Sequence, residues 1–114
     1  MIAVITGEAG SSGALALACG DEVWMTSEGM YAILSPKGFA SILFKDVTRA
    51  SEAAALMKLT PDELLAAQVV ERVMSVSAEL PRQLRAALIE EFEMLQNLPP
   101  EELLARRQAR FRKF

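Results

Sequence analysis

An apolar run over residues 1–5 passes through Gly7-Glu8-Ala9-Gly10-Ser11-Ser12-Gly13 into a small, apolar segment, Ala14-Leu15-Ala16-Leu17, that ends at Cys19-Gly20. This order predicts a buried strand over residues 2–6, a tight loop of small residues, and a helix over residues 12–19. That helix is so small and apolar that it is expected to be packed on most sides. A strand-to-helix junction leaves the first amides of the helix without partners, at the end where partial positive charge gathers. With little side-chain bulk in the way, a ligand oxygen can reach those amides. The loop therefore reads as an oxyanion or phosphate cradle made of backbone. Glycines at such a turn also occur for backbone reasons alone, where positive φ or close packing demands them.

The rest of the sequence limits the chemistry. There is no histidine among the 114 residues, so neither a Ser-His-Asp nor a Cys-His system can be assembled within the chain. Ser11 lies in a near miss to the G-x-S-x-G nucleophile elbow and has no base to activate it. A P-loop would need lysine after Gly13, where Ala14 stands, and glycines at 7, 10 and 13 do not have dinucleotide-binding spacing. Charge stabilisation by amides survives, since it needs no side-chain acid or base. With a net charge of −3, nucleic acid is not an implied ligand. One cysteine and no histidine leave no recognisable zinc site, and Cys19 reads as a small core residue. No apolar run is long enough to span a membrane and no basic flank marks a signal peptide, so no membrane is expected and a reducing cytoplasm is the expected compartment. A hydrophobic share of 52% is high for a domain this small and suggests surface that needs a partner. Arg106, Arg107, Arg110, Arg112 and Lys113 crowd the C-terminus and read as a solvated helix end complementing the dipole.

Further along, residues 23–25 and 30–34 are expected as short strands joined around Ser27-Glu28-Gly29. Ser35-Pro36 predicts an N-cap and first helical residue for a short helix through Phe44, followed by an alanine-rich helix over residues 50–58. Thr60-Pro61-Asp62-Glu63 has the form of a capping box. The β-branched run over residues 69–76 predicts a strand. Leu80, Leu84, Leu88, Phe92 and Leu95 recur at helical spacing, with Glu91 among the residues on other faces. Asn97-Leu98-Pro99-Pro100 breaks that helix, and a last one begins at Glu101-Glu102. The whole reads as an α/β layer over residues 1–76 followed by a helical extension over residues 77–114. Its few strands cannot cover both faces of a sheet, so part of the sheet is expected from elsewhere.

Three separated segments carry a family resemblance. Ile5-Thr6-Gly7-Glu8-Ala9-Gly10-Ser11-Ser12-Gly13-Ala14-Leu15-Ala16 resembles the G-E-G-G-S-G-G-A-L-A segment of the acetyl-CoA carboxylase carboxyltransferase α subunits. Tyr31-Ala32-Ile33-Leu34-Ser35-Pro36-Lys37-Gly38-Phe39-Ala40-Ser41-Ile42-Leu43-Phe44-Lys45-Asp46 is similar to their Y-S-V-I-S-P-E-G-C-A-S-I-L-W-K-D segment. Glu102-Leu103-Leu104-Ala105-Arg106-Arg107 is similar to their C-terminal E-x-L-x-x-R-R helix. The likeness covers nearly the whole chain.

The resemblance implies the C-terminal half of a crotonase/ClpP-like α/β spiral followed by two C-terminal helices. It implies an oligomer with a β subunit that moves a carboxyl group from carboxybiotin, held on a biotin carboxyl carrier protein, to acetyl-CoA, giving malonyl-CoA for fatty acid biosynthesis. Biotin is then a co-substrate, no cofactor is bound by this subunit directly, and the family's zinc belongs to β. The family's oxyanion amides fall here on Ser12 and Gly13, with Ala9, Gly10 and Ser11 bordering the substrate. Ala9 and Ser12 stand where the family has glycine, Lys37 where it has glutamate, and Phe39 where it has cysteine. The Ser12 side chain is a point at which the pocket narrows or an incompatible φ is demanded. Family members also carry the first half of the spiral ahead of this stretch, so a truncated, non-catalytic assembly module of the same complex is the alternative reading. A different acyl-CoA enzyme of crotonase type, such as a hydratase, would need a general acid that only Glu8 is placed to supply.

Overall fold

Chain direction and strand pairing give the molecule a spiral. The computed structural model describes residues 1–114. It begins with β1 (Ile2–Ile5), β2 (Glu8–Gly10) and α1 (Ser11–Leu17), and repeats the same order with β3 (Glu22–Thr26), β4 (Met30–Ala32) and α2 (Pro36–Leu43). β1 pairs in parallel with β3, and β2 pairs in parallel with β4. Each turn of the chain thus adds one strand to each of two sheets, with a helix closing the turn. Parallel neighbours require such crossovers, because a hairpin cannot return the chain in the same direction. After a 3₁₀ turn at Val47–Arg49, α3 (Ala50–Met57) and α4 (Pro61–Ala66), a third pass brings in β5 (Arg72–Met74), again parallel to β3. The larger sheet has the order β1-β3-β5. α5 (Leu80–Gln96) and α6 (Pro100–Phe111) follow.

The central strand β3 separates two environments by its period of two. Val23 and Met25 point into an apolar core with Ala18, Leu64 and Val70. Glu22, Trp24 and Thr26 share the opposite face, where Trp24 is fully buried. Two glycines are required by close approach. A Cβ on Gly20 would lie 2.6 Å from the Met1 carbonyl oxygen, and one on Gly29 would crowd Met25, Thr26 and Ile5 at the turn from β3 to β4.

Local chemistry forms the helices where the sequence predicted them. Ser35 Oγ accepts from the Gly38 amide at 3.1 Å to start α2. Thr60 and Glu63 form the expected reciprocal capping box at α4. Lys58 closes α3 in the left-handed region, with φ 51°.

Other expectations change. The strand expected over residues 30–34 contracts to Met30–Ala32, and β3 and β4 belong to different sheets. The strand expected over residues 69–76 contracts to Arg72–Met74. α1 has no buried residue, so it is not packed on most sides. Cys19 is exposed rather than core, its Sγ bonded to the Leu15 carbonyl. On α5, Ala87, Glu91 and Leu95 are the buried residues, while Phe92 is exposed.

The basic C-terminus is more than a solvated helix end. Arg110 is buried and donates to Glu71 Oε1 at 2.6 Å, to the Val69 carbonyl at 2.8 Å and to the Ala18 carbonyl at 3.3 Å. Glu71 in turn accepts from the Val23 amide at 2.7 Å. Arg107 donates to Asp21 at 2.8 Å. α6 therefore ties the end of α1 to β3 and the approach to β5.

Candidate functional site

The junction between β2 and α1 differs from the other helix starts. Gly10 is the N-cap residue, extended at φ −137° and ψ 166°, and it has no side chain with which to cap. Ser35 and Thr60 consume first-turn donors of α2 and α4, whereas Gly10 offers α1 no side-chain cap. Outside the regular elements no backbone hydrogen bond begins at the nitrogen of Ser12 or Gly13. The first turn of a helix offers no i−4 carbonyl to such amides. Gly10, Ser11, Ser12 and Gly13 are all exposed, and Ala9 is half-buried in β2. All five residues singled out in the sequence therefore lie together on one stretch of backbone.

No glycine of the chain has positive φ. The backbone reading of the loop glycines thus fails at Gly10 and Gly13 on conformation. It fails at Gly13 on packing too, because a Cβ there would meet nothing within 4 Å. The unusual backbone sits one residue before Ser12, at Ser11, with φ 65°. A non-glycine residue in that region costs about 1–2 kcal/mol. Periodicity gave no sign of this, and Ser12 itself takes no positive φ.

Two hollows flank the loop. One, of about 390 Å³, runs along β1 past Gly7, Ala9, Ala14 and Leu17 and is mostly apolar. The other, of about 140 Å³, is bounded by Ser11, Leu15, Tyr31 and Ile33. Burial pushes the Tyr31 phenol above its ordinary value of 10.0, against the pull of Arg110, so it stays neutral at physiological pH. Lys37 is exposed in the first turn of α2, and Phe39 is half-buried. The site thus consists of uncapped amides between apolar walls, able to stabilise negative charge on an oxygen without a side-chain catalyst.

The family model described as acetyl co-enzyme A carboxylase carboxyltransferase-like matches residues 1–114. The acetyl-coenzyme A carboxylase carboxyl transferase subunit alpha of Streptococcus equi subsp. equi (strain 4047) is 52% identical over 118 aligned residues, covering 100% of this chain and 46% of that protein. The subunit of the same name from Streptococcus pneumoniae (strain Hungary19A-6) is 54% identical with the same coverage. The chain thus spans about half the length of the curated relatives it matches.

Among solved structures, transcarboxylase 12S, a hexamer with methylmalonyl-coenzyme A and methylmalonic acid bound, aligns with a TM-score of 0.61 at 24% identity. That alignment covers 78% of this chain and 19% of the transcarboxylase chain. The fold is an α/β spiral of the crotonase-like carboxyltransferase type. Matched along its whole length by the family model and by relatives of more than 50% identity, the chain belongs to the acetyl-coenzyme A carboxylase carboxyltransferase family.

Proposed function

We propose that this chain supplies the α-subunit side of a carboxyltransferase site that moves the carboxyl group of carboxybiotin to acetyl-CoA, giving malonyl-CoA for fatty acid synthesis. The carboxybiotin would arrive on a carrier protein, and a β subunit would complete the site in a cytoplasmic complex. The observation that carries this reading is the pair of uncapped amides at Ser12 and Gly13, exposed at the head of α1.

The chemistry asks for that feature. The N–CO2 bond of carboxybiotin would break and the acetyl methyl carbon take the carboxyl group, its lost proton ending on the freed biotin nitrogen, so negative charge would pass through the thioester oxygen. Two fixed N–H groups hold that charge better in the transition state than in the ground state, which is what accelerates a reaction. Loss of one such donor costs about 3–4 kcal/mol. Ala9, Gly10 and Ser11 would border the acyl group, and the adjoining apolar hollows would limit water around it.

The test mixes the purified chain with β subunit, biotinylated carrier and malonyl-CoA and follows acetyl-CoA formation. Turnover supports the reading; no turnover in a complex shown to have assembled overturns it. The second reading, a non-catalytic assembly module of the same complex, draws on one observation. α1 buries no residue, and Leu15 and Leu17 remain half or more exposed. An inactive complex of normal size would favour it.

A further inference from the structure

α1 carries the amides on which the proposed reaction depends, yet no residue of Ser11–Leu17 is buried. The helix meets the core one residue later, at its C-cap Ala18, whose methyl group packs with Val23, Leu64 and Val70. The last carbonyls of a helix have no partner within it and need donors from outside. Those of Ala14 and Ala16 accept from the Ala18 amide, and that of Leu15 accepts from Cys19 Sγ. The Ala18 carbonyl is met from 92 positions away, by Arg110 Nη1 of α6 at 3.3 Å. A cation is favoured at that end of a helix, and α1 has no basic residue in its own last turn.

Arg110 is held too firmly to follow α1. Its side chain is only 9% exposed. Nε donates to Glu71 Oε1 at 2.6 Å, and Nη2 donates to Glu71 Oε2 at 3.2 Å and to the Val69 carbonyl at 2.8 Å. Glu71 is itself fixed to the central strand, since its Oε2 accepts from the Val23 amide at 2.7 Å. A planar guanidinium engaged in this way has little freedom, so it presents the Ala18 carbonyl with a fixed donor. We propose that Arg110 is a positioning residue: through the Ala18 carbonyl it sets the direction of α1, and so the place of the Ser12 and Gly13 amides. Ser12 lies about 9 Å along the helix from Ala18, so a tilt at the anchored end becomes a displacement at the head. Arg110 touches no reacting atom, and this role rests on the carboxyl transfer proposed above.

Three substitutions separate positioning from general support. Lysine keeps a charge beside Glu71, but one ammonium cannot span Glu71, Val69 and Ala18 as the guanidinium does, so R110K frees α1. Glu71 bonds to Arg110 and to the Val23 amide and not to α1, so any effect of E71Q on α1 passes through Arg110. Arg107 lies on the same helix and donates to Asp21 at 2.8 Å without bonding to α1, which makes R107K the control.

Hydrogen exchange of the chain in the absence of denaturant would be read at the amides of residues 15–18 and of Val23, Trp24 and Met25 in β3. Local opening exposes one segment, whereas global unfolding exposes both together. R110K should lower protection of residues 15–18 about tenfold or more, as for any lost bond from a charged donor, and leave β3 unchanged. E71Q should move α1 in the same direction, and R107K should not. In the complex assayed for acetyl-CoA formation, R110K should lower kcat about 100-fold, the cost of misplacing the oxygen by about 1 Å, with KM within about twofold. Equal loss of protection in both segments would overturn the proposal, and so would failure of both R110K and E71Q to fold. Normal kcat in R110K would sink this role alone, whereas no turnover by the unmodified complex would sink the carboxyl-transfer reading and this role with it.

Discussion

Replacing Gly13 by alanine separates the two reasons a glycine can occupy that position. The residue lies in α1, has no positive φ, and offers open space where a methyl group would go. Alanine is favoured over glycine in a helix by about 0.5–1 kcal/mol because it loses less backbone freedom on folding. With no contact to oppose it, that preference should appear nearly in full, raising stability by about 0.5–1 kcal/mol in urea unfolding of the chain. Activity should move the other way. The methyl group would intrude on the open space beside the amide while leaving the N–H in place. Displacing a bound oxygen by about 1 Å is enough to cost on the order of 100-fold in rate.

The assay pairs urea unfolding of the chain with acetyl-CoA formation by the complex containing it. A more stable, slower variant supports a glycine kept clear for a ligand. A variant that gains stability and turns over at the original rate would refute the claim that the oxygen sits over Gly13. A loss of stability would refute the description of the backbone itself.

Three further outcomes follow from the same structure. Arg110→Met strips partners from Glu71 and from the carbonyls of Ala18 and Val69, and should cost about 3 kcal/mol in urea unfolding, at the low end for a buried pair because Glu71 keeps some exposure. Ser11→Gly removes the penalty of the left-handed backbone but adds glycine's entropy cost, so calorimetry should register a net gain of about 1 kcal/mol or less. Burial alone would raise the Asp21 carboxyl, but hydrogen bonds from the N-terminal ammonium and Arg107 outweigh it and hold the group below its ordinary 3.8. Its stability contribution is complete above that value and lost as pH falls through the folded one, so acid unfolding of D21N should show a shallower limb than that of the unmodified chain.

What could be read in the sequence was what local chemistry decides. Ser35 and Thr60 announce helix starts because their side chains satisfy the first amides themselves, whatever lies around them. The helix after Gly10 was legible from its run of small apolar residues. β2 was not, because Glu8-Ala9-Gly10 has no β-branched or aromatic residue and becomes a strand only by pairing with Met30–Ala32. Arg110 looked like one of several solvated cations, since its partner Glu71 lies 39 positions away in sequence. Glu91 reads as one of the residues off the apolar stripe of α5, because a charge in a helix ordinarily is; the structure buries it, with Arg72 4.0 Å from its carboxylate.

The features that make the loop useful also leave α1 weakly held. A side-chain cap would occupy the donors that a ligand needs, and its absence forgoes about 1 kcal/mol of helix stability. Packing does not replace it, since no residue of α1 is buried, and the tie from Arg110 to the Ala18 carbonyl secures only the far end. Leu15 and Leu17 are 50% and 65% exposed, and fully covering a leucine contributes about 1.5–3 kcal/mol. A partner subunit seated on both would therefore supply roughly 2–3 kcal/mol to α1, enough to offset the missing cap and the strain at Ser11. Fixing the amides before the reaction is what gives them catalytic value. On the proposed function, assembly and catalysis would be coupled through one short helix: covering its leucines would order the first turn proposed to meet the oxyanion.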